Sequence, residues 1–222
     1  MRYILTSAWD DGIADLTQRL VHDLAAGKRV LWLVSGGSNI PASVQIMRTI
    51  PRNLTKSLVI TLADERYGPV GHADSNEAQL LQAGFKRADA TVLSVLQPNL
   101  SLAKTAKRYE ELVQAAYDQA DIVVAQLGIG DDGHVAGILP GSVAAREQDH
   151  WVVGYKHQPF QRLTLTFPAL QRVNAAYIFA FGRNKHQTLA RLQYQTVPLE
   201  QQPSQVLKQL KEAYIYSDQI GE

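Results

Sequence analysis

Short apolar runs alternate with longer amphipathic stretches along most of this chain. Val30-Leu31-Trp32-Leu33-Val34 is unbroken, and residues 58–62 and 122–127 are nearly so. Such runs suit parallel strands covered on both faces. Residues 91–95, 163–167 and 177–181 read as further strands. In the second of these, Leu163, Leu165 and Phe167 alternate with Thr164 and Thr166. Between the strands the spacing turns helical. Leu16, Leu20, Val21 and Leu24 share one face of a helix predicted over 15–26, which Gly27 stops. Helices are also predicted over 41–49, with Pro41 at its first position, and over 75–83, 101–119 and 185–193. A terminal helix is predicted over 205–214. This alternation predicts an α/β fold with a mostly parallel sheet and helices on both faces. No repeat or linker interrupts it, and Gln201, Gln202 and Pro203 mark a loop. The expectation is one domain over residues 1–222.

Composition narrows the function classes. The 222 residues are 45% hydrophobic and 19% charged, with a net charge of +1. No global field draws in nucleic acid or an anionic membrane, so an anion must be met by a local site. The chain has no cysteine, which excludes disulfides, thiolate metal sites and a cysteine nucleophile. No apolar run follows Arg2, and none approaches the ~20 residues of a membrane helix. The expectation is a cytoplasmic protein, a monomer or small homo-oligomer, without nucleic-acid or membrane partners.

Polar and glycine-rich segments follow the apolar strands. In open α/β sheets, ligands bind outside the carboxyl ends of the strands, so segments far apart in sequence are expected to meet there. Ser35-Gly36-Gly37-Ser38 reads equally as a phosphate cradle, with close backbone approach and hydroxyl donors, or as a tight strand-to-helix turn. In Asp64-Glu65-Arg66, Arg66 suits a bidentate grip on an anion and Asp64 suits orienting a hydroxyl. Taken alone, a solvated loop with local salt bridges explains the triplet slightly better. His72, Ser75 and Asn76 follow it. Gly128-Ile129-Gly130-Asp131-Asp132-Gly133-His134 is the most informative segment, because a histidine beside a carboxylate in a flexible loop suits general acid–base work. Arg162 and Lys185 are candidate phosphate contacts, although each alone reads as a surface cation. No histidine cluster has metal-ligand spacing, the glycines miss the dinucleotide fingerprint, and no Gly-x-Ser-x-Gly elbow occurs.

Together these segments resemble the 6-phosphogluconolactonase family, a relative of the glucosamine-6-phosphate deaminases. The matching residues are Ser35–Ser38 with Pro41, Asp64-Glu65-Arg66 with Pro69, His72, Ser75 and Asn76, and Gly128-x-Gly130-x-Asp132-Gly133-His134 with Ala136, Leu139, Pro140 and Gly141. Arg162-x-Thr164-x-Thr166 and Gly182-x-x-Lys185 complete the order, over roughly residues 30 to 190. The chain departs from the family pattern at Asn39-Ile40, which stand before Pro41 where a single Thr is usual, and at Gly68 and Gly137.

The resemblance implies a Rossmann-like three-layer α/β/α fold and hydrolysis of a phosphosugar lactone without metal or organic cofactor. It makes His134 the general base, with Asp132 orienting it. Arg66 or Arg162 would stabilise the oxyanion or hold substrate, and Asp64 would orient a hydroxyl or another catalytic group. Ser35, Gly36, Gly37, Ser38, Arg162, Lys185, His72 and Asn76 would bind substrate and its phosphate. The related deaminases carry a glutamate at the position of Leu139 and a tyrosine at that of Arg66, which favours the lactonase over the deaminase. A phosphosugar-binding protein without activity is the other alternative.

Overall fold

The computed structural model describes residues 1–220. Seven strands form one sheet: β1 (Arg2–Leu5), β2 (Val30–Val34), β3 (Leu58–Leu62), β5 (Thr91–Leu93), β6 (Ile122–Gly128), β9 (Ala175–Phe179) and β10 (Glu212–Ser217). Their order is β1-β10-β9-β6-β2-β3-β5, and every pairing is parallel. A separate antiparallel sheet joins β4 (Asp64–Arg66), β8 (Phe160–Leu165) and β7 (Val152–His157) in that order.

The helices are α1 (Trp9–Ala25), α2 (Ile40–Thr49), α3 (Asn76–Gln82), α4 (Leu102–Gln119), the single turn α5 (Phe167–Leu170) and α6 (His186–Tyr194). In α4, Thr105, Tyr109, Val113 and Tyr117 recur every four residues and are all buried. Ser101 caps its first turn by accepting from the Lys104 N–H. Tyr109 and Thr61 bond hydroxyl to hydroxyl at 3.1 Å, which fixes α4 on the Thr61 face of the sheet. On the opposite face Gly12 of α1 lies against Phe179 and Tyr216, and Ser43 of α2 donates to Gln126 at 2.9 Å. Helices therefore cover both faces, and all five β2 residues are buried. Each such large aliphatic side chain contributes about 1.5–3 kcal/mol by leaving water.

Three expectations are corrected. Residues 205–214 are not a helix: Pro203–Gln209 is 3-10, and β10 follows. The spacing of Val206, Leu207 and Leu210 looks helical, but strand pairing with both β1 and β9 claims the segment after it. The strand read at 163–167 ends at Leu165, because Thr166 opens α5, and it pairs antiparallel in the small sheet. The first helix begins at Trp9, six residues before the predicted start, with Asp10 and Asp11 in its first turn, where the helix dipole favours them.

The chain order places one crossing point in the main sheet. From β2 the chain moves outward through β3 to β5, and from β6 it moves the other way to β9 and β10. The loops that leave the carboxyl ends of adjacent β2 and β6 diverge there and open a crevice.

Candidate active site

The β2 loop supplies Ser35–Asn39 to this crevice, and the β6 loop supplies Gly128, Ile129, Gly130, His134 and Ala136. The β3–β4 turn and its neighbours add Asp64, Arg66, Asn76 and Arg162. Phe179, Phe181 and Lys185 close the side beyond β9. Trp9 of α1 stacks on both phenylalanines, with ring centroids 5.4 and 4.8 Å away, and so braces this wall.

His134 is held by a tight loop. Its carbonyl accepts from the Gly130 N–H at 2.9 Å, and Ile129 bridges Val135 across the loop base. One Asp132 oxygen, Oδ1, lies 2.7 Å from His134 Nδ1 and accepts the His134 backbone N–H at 3.0 Å. With Nδ1–H committed to the carboxylate, the neutral ring carries its lone pair on Nε2, the ring nitrogen left for a ligand. Burial alone raises the Asp132 carboxyl, but the hydrogen bonds from His134 prevail and hold it below its ordinary value. The ring lies where only glycine fits: a Cβ at Gly130 would stand 2.0 Å from His134 Nδ1.

Arg66 and Arg162 face each other across the β4–β8 ladder, and both guanidinium groups lie over the Phe160 ring, 5.4 and 5.6 Å from its centroid. Like charges directly opposite one another repel. Among the described residues neither forms an ion pair, and each has a buried Nε without a partner. The Arg66 guanidinium donates once, from Nη1 to the Asp74 carbonyl at 3.1 Å. Ser35 Oγ, Asn39 Oδ1 and Asn76 Oδ1 are likewise buried without partners. Five unpaired polar groups converging on one crevice, two of them cationic, mark it as a place for a polar anionic ligand.

The predicted residues mostly meet. Ser35, Gly36, Gly37, Ser38, Asp64, Arg66, Asn76, His134, Arg162 and Lys185 line the crevice, and Asp132 stands behind His134. His72 is the exception. It is not in the lining, and its Nε2 bonds the Arg66 carbonyl at 2.9 Å, so it braces the turn instead. The solvated-loop reading of Asp64-Glu65-Arg66 also fails, since Asp64 and Glu65 are buried in β4.

Glu65 has a role that its sequence context left unassigned. It accepts the backbone N–H groups of Arg66, Asn76 and Glu77 at 2.6, 2.6 and 3.0 Å, and the Ser75 hydroxyl at 2.9 Å. It thereby ties β4 to the start of α3. Burial pushes its carboxyl up, against the pull of these donors. Asn76 extends the tie by donating to the Asp64 carbonyl at 2.9 Å. A Cβ at Gly36 would fall 2.0 Å from Asn76 Oδ1, so glycine lets the β2 loop close onto α3. Phe179 and Phe181 are lining residues that no sequence motif singled out, and Asn39, also in the lining, stood out in the sequence only as a departure from the family pattern.

Among the described residues, no three His, Asp or Glu side chains converge to hold a metal, and no helix is long and apolar enough to cross a membrane. Fold and crevice define an open-sheet α/β protein with a polar, cation-lined ligand site at its crossing point. The chain belongs to the family of glucosamine-6-phosphate isomerases/6-phosphogluconolactonase, whose family model matches residues 7–215. It is 30% identical over 189 residues to a 6-phosphogluconolactonase of Pseudomonas aeruginosa, covering 79% of this chain and 76% of that one. It is 26% identical over 186 residues to a 6-phosphogluconolactonase of Thermotoga maritima, covering 82% and 83%. The fold matches the crystal structure of a 6-phosphogluconolactonase from Shewanella baltica with a TM-score of 0.81, at 21% identity over 97% of each chain. It also matches a monomeric glucosamine-6-phosphate deaminase at 0.79, with 18% identity over 98% and 97% of the two chains. At such identities the structural likeness establishes the fold, which the two activities share.

Proposed function

We propose that this protein hydrolyses 6-phosphoglucono-1,5-lactone to 6-phosphogluconate. The observation that carries the reading is the Asp132–His134 pair in one crevice with two arginines that, among the described residues, have no acidic partner and whose Nε groups are unsatisfied. His134 Nε2 takes a proton from water as the water oxygen attacks the lactone carbonyl carbon. Arg66 or Arg162 stabilises the oxyanion that forms. When that intermediate collapses, the carbonyl carbon–ring oxygen bond breaks, and His134 returns its proton to the departing ring oxygen. Asp132 holds the ring in the tautomer this requires and stabilises the transient imidazolium. Lys185 and the Ser35–Ser38 loop grip the phosphate, so that binding energy remote from the reaction positions the reacting end. Asp64 and Asn76 orient the sugar.

The family covers both activities, but the relatives named 6-phosphogluconolactonase support the lactonase over the deaminase, and so does Leu139. Where the deaminases have a glutamate, this chain has an aliphatic residue buried in its core. It offers no group to move a proton between carbons. The reading carries with it one catalytic unit over the whole chain and the cytoplasmic location expected from the sequence. The test is hydrolysis of fresh 6-phosphoglucono-1,5-lactone, with spontaneous opening subtracted at each pH. Acid release well above background is expected, with no ammonia from glucosamine 6-phosphate. A folded protein that does not outpace background overturns the reading.

A further inference from the structure

Asn39 lies where β2 hands the chain to α2, in the loop that is one residue longer than the family pattern. It stands at the N-cap of α2, a position where asparagine normally spends its side-chain oxygen on the first-turn N–H groups. Here it makes no such bond. The backbone explains why: Asn39 has φ −79° and ψ −17°, so a 3-10 turn runs straight into the helix without the extended cap conformation. Its main chain is pinned, since its carbonyl accepts from Gln126 Nε2 at 3.1 Å and lies 3.1 Å from the Ser43 hydroxyl. Its side chain lines the crevice at 3% exposure, with Oδ1 unpartnered, and its Nδ2 lies over Gly128.

A pinned backbone and a buried, unpartnered amide oxygen at a ligand site point to a ligand contact, because a buried acceptor without a donor is costly. The chemistry of the amide selects the group. An ionised phosphate offers only acceptors and would leave Oδ1 unpaired. A hydroxyl both donates and accepts, and it satisfies the amide whichever way it is turned. We infer that Asn39 recognises one ring hydroxyl of the substrate and makes this protein selective for the hydroxylated sugar lactone over its deoxy analogue. The inference rests on the lactonase reading above.

The experiment measures kcat/KM of wild type and Asn39→Ala on the parent lactone and on its 2-, 3- and 4-deoxy analogues. Wild type should prefer the parent over one analogue by roughly ten- to hundredfold, the range for an unpaired buried polar group. Asn39→Ala should lose that single preference and keep the other two. Gly128→Ala is a second variant that leaves Asn39 in the chain. Its new Cβ would sit 2.7 Å from Asn39 Nδ2, with its next contacts at 3.8 Å or beyond, so it displaces chiefly the amide. The same selective loss is expected. Preferences unchanged in both variants, or equal loss on all four substrates, would overturn the inference. Wild-type turnover of the parent tells this failure apart from failure of the lactonase reading.

Discussion

His134 and Asp132 are separable by the parameter each controls. His134→Ala should cut kcat by roughly 10²–10⁴-fold, the usual scale for a general base. Binding of 6-phosphogluconate should survive, because Lys185 and the Ser35–Ser38 loop are untouched. In wild type kcat/KM should fall toward acid pH, where a protonated imidazole no longer accepts a proton. That limb should vanish in the variant. Asp132→Asn keeps the shape and, with its amide oxygen in the place of Oδ1, both hydrogen bonds, but it removes the charge that stabilises the transient imidazolium. It should lower kcat while KM holds. Parallel loss of kcat, product affinity and thermal stability in His134→Ala would instead make the histidine a packing residue.

Between elements, the Glu65 tie holds half of the site. Glu65→Ala strands three backbone N–H groups and a hydroxyl, all near the start of α3. Breaking a buried charged network of this kind costs at least about 3 kcal/mol. For a chain of this size that lowers Tm by roughly 6–12 °C, measurable by calorimetry. Activity should fall with it even at temperatures where the variant is folded, because Asp64, Arg66 and Asn76 lose their common anchor. A shift under 2 °C would show that the four donors find water or other partners. The sequence revealed the Asp-Glu-Arg triplet as unusual, but not which carboxylate faces inward. Alternation along β4 alone would bury Asp64 and Arg66 together or Glu65 by itself, and the Arg162 and Thr164 partners on β8 become visible only in the folded sheet.

At the scale of the whole molecule, β10 decides the sheet. It lies between β1 and β9, and Ala213, Ile215 and Tyr216 are buried there. Removing residues 212–222 unpairs both neighbours and uncovers the α1 face, so the truncated chain should lose its cooperative thermal transition. A truncated protein that still melts cooperatively would show that β1 and β9 find another pairing.

The sequence by itself determined much of this protein. Strands buried on both faces must be continuously apolar, so β2, β3 and β6 were legible, and with them the α/β class. Residues that curl a loop or carry a proton come from few types, so the serine–glycine loop and the Asp132-Gly133-His134 loop stood out. Tertiary structure alone decided the rest. Residues 205–214 combine helical spacing with good helix formers, yet pairing in the middle of a sheet outweighs local propensity once both neighbours are in place. His72 matched the pattern but turned to brace the Arg66 carbonyl. Asn39 matched nothing, and it became a candidate only when its unpartnered amide was seen at the crevice. Periodicity records which face of an element is covered, whereas a hydrogen bond left unmade depends on every element that packs around it.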